Sequence, residues 1–154
     1  MEIKVEEKNK KYAEILKKNY VSRFGDLTSF LLYKYETYKF NEIDHYFSSN
    51  MNKFSKDSLT HFKIIGRLIS MLGGNPNHNG FSIQEIFYEE DKEKLLEVNI
   101  RLTKEKIIMY TNNMNEIEDK YINEILKNFI VEERKNLEIL EMMQYRYKKE
   151  RRTH

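Results

Sequence analysis

An all-helical bundle is the fold class that this sequence of 154 residues predicts, on three observations. Gly 5 and Pro 1 leave few backbone breakers, while Glu, Lys, Leu and Ile are abundant. Apolar residues recur in alternating steps of three and four over long stretches, which is the helical period. A chain of this length is one domain with enough interior to bury a core.

Taken in order, the pattern predicts a short N-terminal helix over residues 6–19 and longer helices over 22–47, 51–72, 91–112 and 116–148. Residues 1–20 form an extension, 22–148 the four-helix bundle and 149–154 a basic tail. The 51–72 helix ends at Gly73-Gly74-Asn75-Pro76, where glycine supplies a left-handed cap and proline blocks continuation. Asn77 to Glu89 has neither helical period nor strand alternation and reads as a long crossover. Asn115 with Glu118 is placed like an N-cap and its N3 partner for the last helix. Two antiparallel pairs joined by one crossover make a four-helix bundle.

Charge and composition exclude several functions. Lys+Arg 27 against Asp+Glu 25 gives no argument for nucleic acid as a partner, and Cys 0 excludes disulfides, thiolate metal sites and a cysteine nucleophile. Lys63 and Arg67 interrupt the most apolar stretch, so no membrane partner is expected. The N-terminus has no signal-peptide core, which points to a cytoplasmic protein. The C-terminal QYRYKKERRTH reads as a solvated helix end whose cations suit the helix dipole.

Polar residues on the core-facing stripes carry the functional signal. The second long helix offers Phe54, Ser58, His61, Ile65, Leu68 and Leu72. The third offers Leu95, Val98, Leu102, Glu105, Met109 and Asn112, and the fourth Ile122, Leu126, Phe129, Glu133, Asn136, Leu140 and Met143. Each is broken near its middle, and an unpartnered buried carboxylate is expensive, so the breaks are expected to meet. Asp26 on the first long helix, with Ser29, Phe30 and Tyr33 nearby, is expected at the same level. Asp57, four residues before His61, and Glu132, four before Asn136, are the lesser candidates for substitute ligands; lying one position off their stripes, they read rather as facing a neighbouring helix or water. Tyr33, Tyr35 and Tyr110 read as core and interface aromatics.

Four helices that each bring a carboxylate, two of them with Glu-x-x-His, make a di-metal site. Here the order is Asp26, Ser58-x-x-His61, Glu105 and Glu133-x-x-Asn136. On YAEILKKNYVSRFGDLTSFLLYKYE, HFKIIGRLISMLGGNP and NIRLTKEKIIMYTNNMNEIEDKYINEILKNFIVEERKNLEIL the chain resembles the ferritin-like superfamily. The resemblance is to manganese-catalase relatives, clostridial ferritin-like and spore-coat proteins, and bacterioferritin and rubrerythrin relatives. It implies an up-down-down-up four-helix bundle with one long crossover and a short extra N-terminal helix. It also implies metal ligands at Asp26, His61, Glu105 and Glu133, with Ser58 and Asn136 standing where the pattern has glutamate and histidine.

An eroded site of this kind implies a non-catalytic structural or interaction protein, cytoplasmic or spore-associated, that binds one iron or manganese ion or none. The alternative is a metal-dependent oxidoreductase or an iron- or manganese-handling protein acting on peroxide or O2 through the residual ligands. Leu31, Leu32 and Tyr35 cannot all face the interior that holds Asp26 and Tyr33. Apolar area is therefore left for the N-terminal helix or a second subunit, and a homodimer or higher homo-oligomer is expected, with other assembly partners open.

Overall fold

The computed structural model describes residues 2–83 and 88–153. Among these residues the secondary structure is five helices and no strand: α1 (Lys10–Tyr20), α2 (Asp26–Phe40), α3 (His45–Met71), α4 (Lys92–Glu116) and α5 (Lys120–Thr153). The contacts fall chiefly within two hairpins, α2 with α3 and α4 with α5.

Helix ends sit where side chains can cap them. Asn9 Oδ1 accepts the Tyr12 N–H at 3.0 Å to start α1, and Asp44 Oδ1 accepts the Phe47 N–H at 3.1 Å to start α3. The expected 22–47 helix is therefore split: α2 stops at Phe40, and Asp44 opens α3 six residues before the expected start at Met51. At the far end of α3, Gly73 takes φ +92° and its N–H bonds Ser70 O at 3.0 Å, while the Gly74 N–H bonds Ile69 O at 2.9 Å. That pairing closes the helix as the Gly-Gly-Asn-Pro signal predicts. The last helix begins later than expected. Nothing breaks the backbone at Asn115, so α4 runs through it to Glu116. Asp119 caps α5 instead, Oδ1 accepting the N–H groups of Tyr121 and Ile122 at 3.0 and 3.1 Å.

Both α1 and α2 run antiparallel to α3. Phe40 meets Phe47, Tyr33 meets Phe54, and beyond the break Tyr20 stacks on Phe62 with ring centroids 4.5 Å apart. Further along, a Cβ at Gly74 would stand 2.7 Å from Ala13 Cβ, so α1 closes down onto the end of α3. Between them the chain turns through residues 21–25. A Cβ on Gly25 would lie 2.2 Å from the Asn19 carbonyl oxygen, so the turn needs glycine for close approach. The turn leaves Asp26 as the first residue of α2, where the helix dipole favours its negative charge.

Two apolar cores lie at the two ends of the bundle. One gathers Leu16, Ile65, Leu68, Leu72, Ile122, Leu126 and Phe129, and the other Tyr33, Phe47, Met51, Phe54, Leu95, Leu96 and Leu140. Each fully buried aliphatic or aromatic side chain contributes about 1.5–3 kcal/mol. A smaller cluster answers the expectation about Leu31, Leu32 and Tyr35. Buried Leu32 and Leu102 pack with Phe24, Leu31, Tyr35, Val98 and Phe81, so this apolar area is covered by α4 and the crossover rather than by α1.

The candidate metal centre

Between the two apolar cores lies a polar layer. His61, Ser58, Glu133 and Asn136 all turn inward as their stripes predict, with residual exposures of 1, 1, 1 and 3%, and Asp26 joins them at 6%. On α4 the interior position belongs to a different residue from the one expected. Glu105 is half-buried and stands outside the group, while Lys106, one residue on, is fully enclosed. The α4 stripe that faces the core is Leu96, Asn99, Thr103, Lys106, Tyr110 and Asn113, also in steps of three and four. It lies about one residue, or 100°, around the helix from the expected stripe.

Lys106 binds the centre of the layer. Its Nζ donates to Glu133 Oε1 at 2.8 Å and to Ser58 Oγ at 3.4 Å, and it stands 3.5 Å from Asp26 Oδ1. Two of the three ammonium N–H groups thus find hydrogen-bond acceptors, while Asp26 Oδ1, which has no hydrogen-bond partner, is felt through its charge. Burial alone would lower the lysine pKa, but the charges of Glu133 and Asp26 outweigh it and hold the ammonium charged.

His61 occupies the opposite side. Its Nε2 lies 2.5 Å from Glu132 Oε2, and its Nδ1 stands 3.6 Å from both Asp26 Oδ1 and Glu133 Oε1. At 3.6 Å neither contact is a hydrogen bond, so Nδ1 feels these carboxylates through their charge. Desolvation works against the imidazolium, yet the three carboxylates raise the His61 pKa well above its ordinary value. The ring also stacks on Phe129, with centroids 3.9 Å apart and planes 20° from parallel.

Asp26 completes the layer by accepting a hydrogen bond from the Tyr110 hydroxyl at Oδ2. Burial pushes this carboxyl up, but Lys106, His61 and Tyr110 together bring it below its ordinary range. The fully enclosed ionisable groups of the layer are thus two acids, Asp26 and Glu133, and two bases, Lys106 and His61, with Glu132 reaching His61 from the half-exposed edge.

Two residues that the sequence pattern placed off the stripes take part. Glu132 is half-exposed, yet it reaches sideways to His61, and Asp57 Oδ2 lies 3.4 Å from Asn136 Nδ2. Tyr33 and Tyr110 are buried core aromatics as expected, and Tyr35 donates to the Glu89 carbonyl at 3.0 Å. Asp26, His61 and Glu133 offer one ligand atom each, all within 4.8 Å of one another, and could hold a metal ion. Among the described residues no helix is long and apolar enough to cross a membrane.

One further buried acid lies on the Asp26 face of α2. Glu36 Oε1 accepts from Asn99 Nδ2 at 2.5 Å, while Glu36 Oε2 and Asn99 Oδ1 find no partner. Desolvation pushes the Glu36 carboxyl up to about 8, so it is largely protonated at neutral pH.

Comparison with protein families and with curated proteins gives no match. Solved structures do match. A manganese catalase from Anabaena, KatB, superposes with a TM-score of 0.83 at 15% identity, over 91% of this chain and 74% of that one. The bacterioferritin of Desulfovibrio desulfuricans, whose structure describes a diiron site, gives 0.80 at 20% identity, over 90 and 81%. Mycobacterium tuberculosis bacterioferritin, BfrA, gives 0.77 at 16% identity, over 93 and 89%. At these identities the likeness is one of architecture, and with the five helices and two hairpins of the described residues it identifies the chain as having the ferritin-like fold.

Proposed function

We propose that this protein is a ferritin-like bundle that serves as a non-catalytic structural or interaction protein, its central layer holding one metal ion or none. The observation that carries the reading is the Lys106 ammonium, 2.8 Å from Glu133 and 3.5 Å from Asp26. A pair of ions does not fit these residues. Two ions sharing a change of oxidation state need bridging carboxylates and an imidazole each. This chain offers the Ser58 hydroxyl and the Asn136 amide at two of those positions, and a cation from α4. Glu105 is half-buried outside the layer, so we assign the residual ligand set to Asp26, His61 and Glu133.

Elemental analysis of protein purified without chelator, with peroxide and O2 consumption measured after adding Mn(II) or Fe(II), tests this reading. At most one ion per chain and no turnover above free metal are expected. Two ions per chain with sustained turnover would overturn it.

A second reading, a metal-dependent oxidoreductase or an iron- or manganese-handling protein, is favoured by the convergence of Asp26, His61 and Glu133 within 4.8 Å. One tightly held ion together with metal-dependent turnover in the same assay would select it.

We also propose self-association as a homodimer. Tyr38, Ile43 and Tyr46 cluster around the α2–α3 turn with exposures of 73, 77 and 57%, and burying them against a second copy would remove apolar area from water. Light scattering at high protein concentration should give twice the chain mass; a monomer there counts against it. We propose a cytoplasmic setting, with spore association as the further setting that the sequence resemblance implies, and cell fractionation tests both.

A further inference from the structure

We infer that Lys106 is a tethered replacement for a bound cation: its ammonium, carried by the chain itself, neutralises the central carboxylates and shuts divalent metal out of the Asp26–His61–Glu133 group. The inference rests on the ferritin-like reading above and deepens it by naming the group that closes the site.

An ion held by Asp26, His61 and Glu133 would need a carboxylate oxygen from each acid at roughly 2 Å. The oxygens that face His61 Nδ1 are Asp26 Oδ1 and Glu133 Oε1, each at 3.6 Å. Lys106 Nζ engages the same two atoms, at 3.5 and 2.8 Å. Ammonium and ion would therefore compete for one pair of oxygens. If both stayed, two positive charges would face each other across a few ångströms of protein interior, where repulsion is screened far less than in water.

Nor can the lysine step aside. Its side chain is fully buried, Ser58 Oγ receives a further N–H, and the Tyr33 ring lies 5.9 Å from Nζ. Ser58 belongs to the same device. A glutamate there would bring a third carboxylate to the layer, whereas the short hydroxyl leaves room for the lysine head and accepts from it.

Removing the tether should uncover the site. In Lys106→Met a side chain of similar length fills the channel without charge, leaving Asp26, His61 and Glu133 as a two-carboxylate, one-imidazole set of a kind that suits divalent transition metals. The measurement is titration of the chelator-treated chain with Mn(II) and Co(II), followed by calorimetry and by the cobalt visible spectrum, with thermal midpoints recorded in metal and in chelator.

Wild type should show no stoichiometric binding and one midpoint in both conditions. Lys106→Met should melt about 10 °C lower in chelator, bind close to one ion per chain, and recover much of the midpoint when metal is added. Lys106→Gln, which keeps a hydrogen-bond donor for Glu133, supplies the same comparison if the Met variant does not fold. Wild type binding an ion as tightly as either variant would overturn the inference, and that arm needs no variant to fold. Absence of binding in a folded variant would overturn it as well. Peroxide or O2 turnover by wild type refutes the non-catalytic reading instead, so the two failures are told apart.

Discussion

Glu133→Gln should lower the stability of the chelator-treated protein by about 3–5 kcal/mol at pH 7, because it strands the Lys106 ammonium with Asp26 at 3.5 Å as its remaining carboxylate. Lys106→Met should cost a similar amount, since it leaves Asp26 and Glu133 facing each other with only the imidazolium between. Lys106→Met combined with Glu133→Gln should lose far less than the sum. It removes one charge of each sign and leaves Asp26 opposite His61, with Glu132 still on the other ring nitrogen. Urea denaturation of the four proteins gives the cycle. A coupling above about 2 kcal/mol is expected for groups in direct contact. Additive losses would mean that the four buried charges do not act as one unit.

A second large effect should appear in the pH dependence. The Glu36 carboxyl is held up to about 8 in the folded chain by desolvation, against an ordinary value near 4.5. The folded state therefore binds a proton that the unfolded chain releases, and this contribution favours folding below pH 4.5. Between pH 4.5 and 8 it is lost, and above pH 8 the folded state carries the full penalty, on the order of 5 kcal/mol. Glu36→Gln keeps an acceptor for Asn99 Nδ2 and has no proton to lose. It should match wild type near pH 4 and exceed it by several kcal/mol at pH 9. Equal slopes of stability against pH in the two proteins would show that Glu36 is solvated more than its complete burial implies.

The reach of the sequence can be judged from individual positions. His61, Ser58, Glu133 and Asn136 were legible because α3 and α5 keep a strict stripe in which the polar residues are the exceptions. On α4 two stripes compete. Leu95 and Leu96 are both buried, as are Leu102 and Thr103, so the apolar residues alone leave the rotation of the helix undecided. The more apolar choice leads to Glu105. The stripe that faces the core contains Asn99, Thr103, Lys106 and Asn113, which reads as a surface face until the partners of those groups are known.

A signal for Lys106 existed nonetheless. A glutamate buried at Glu133 requires a cation, and Lys106 precedes the core tyrosine Tyr110 by one helical turn. Glu132 faces a neighbouring helix, as one of its two expected settings had it, and meets His61 there because a long side chain at the edge of a helix reaches a group that its own stripe does not face. The break expected between residues 19 and 22 runs on to residue 25, because the close approach of Gly25 to Asn19 is a tertiary fact that the sequence registers only as one glycine.

How the four charges are shared between the hairpins bears on the birth of the molecule. Asp26 and His61 belong to α2 and α3, while Lys106 and Glu133 belong to α4 and α5, so each hairpin holds one acid and one base of its own. During synthesis the first pair emerges long before the second. It can close with its acid and base already opposite each other, while α4 and α5 are still to be made. The later pair likewise brings its own 2.8 Å contact to the encounter. Neither half must wait, with an uncompensated charge turned toward its apolar neighbours, for the other half or for an ion from solution.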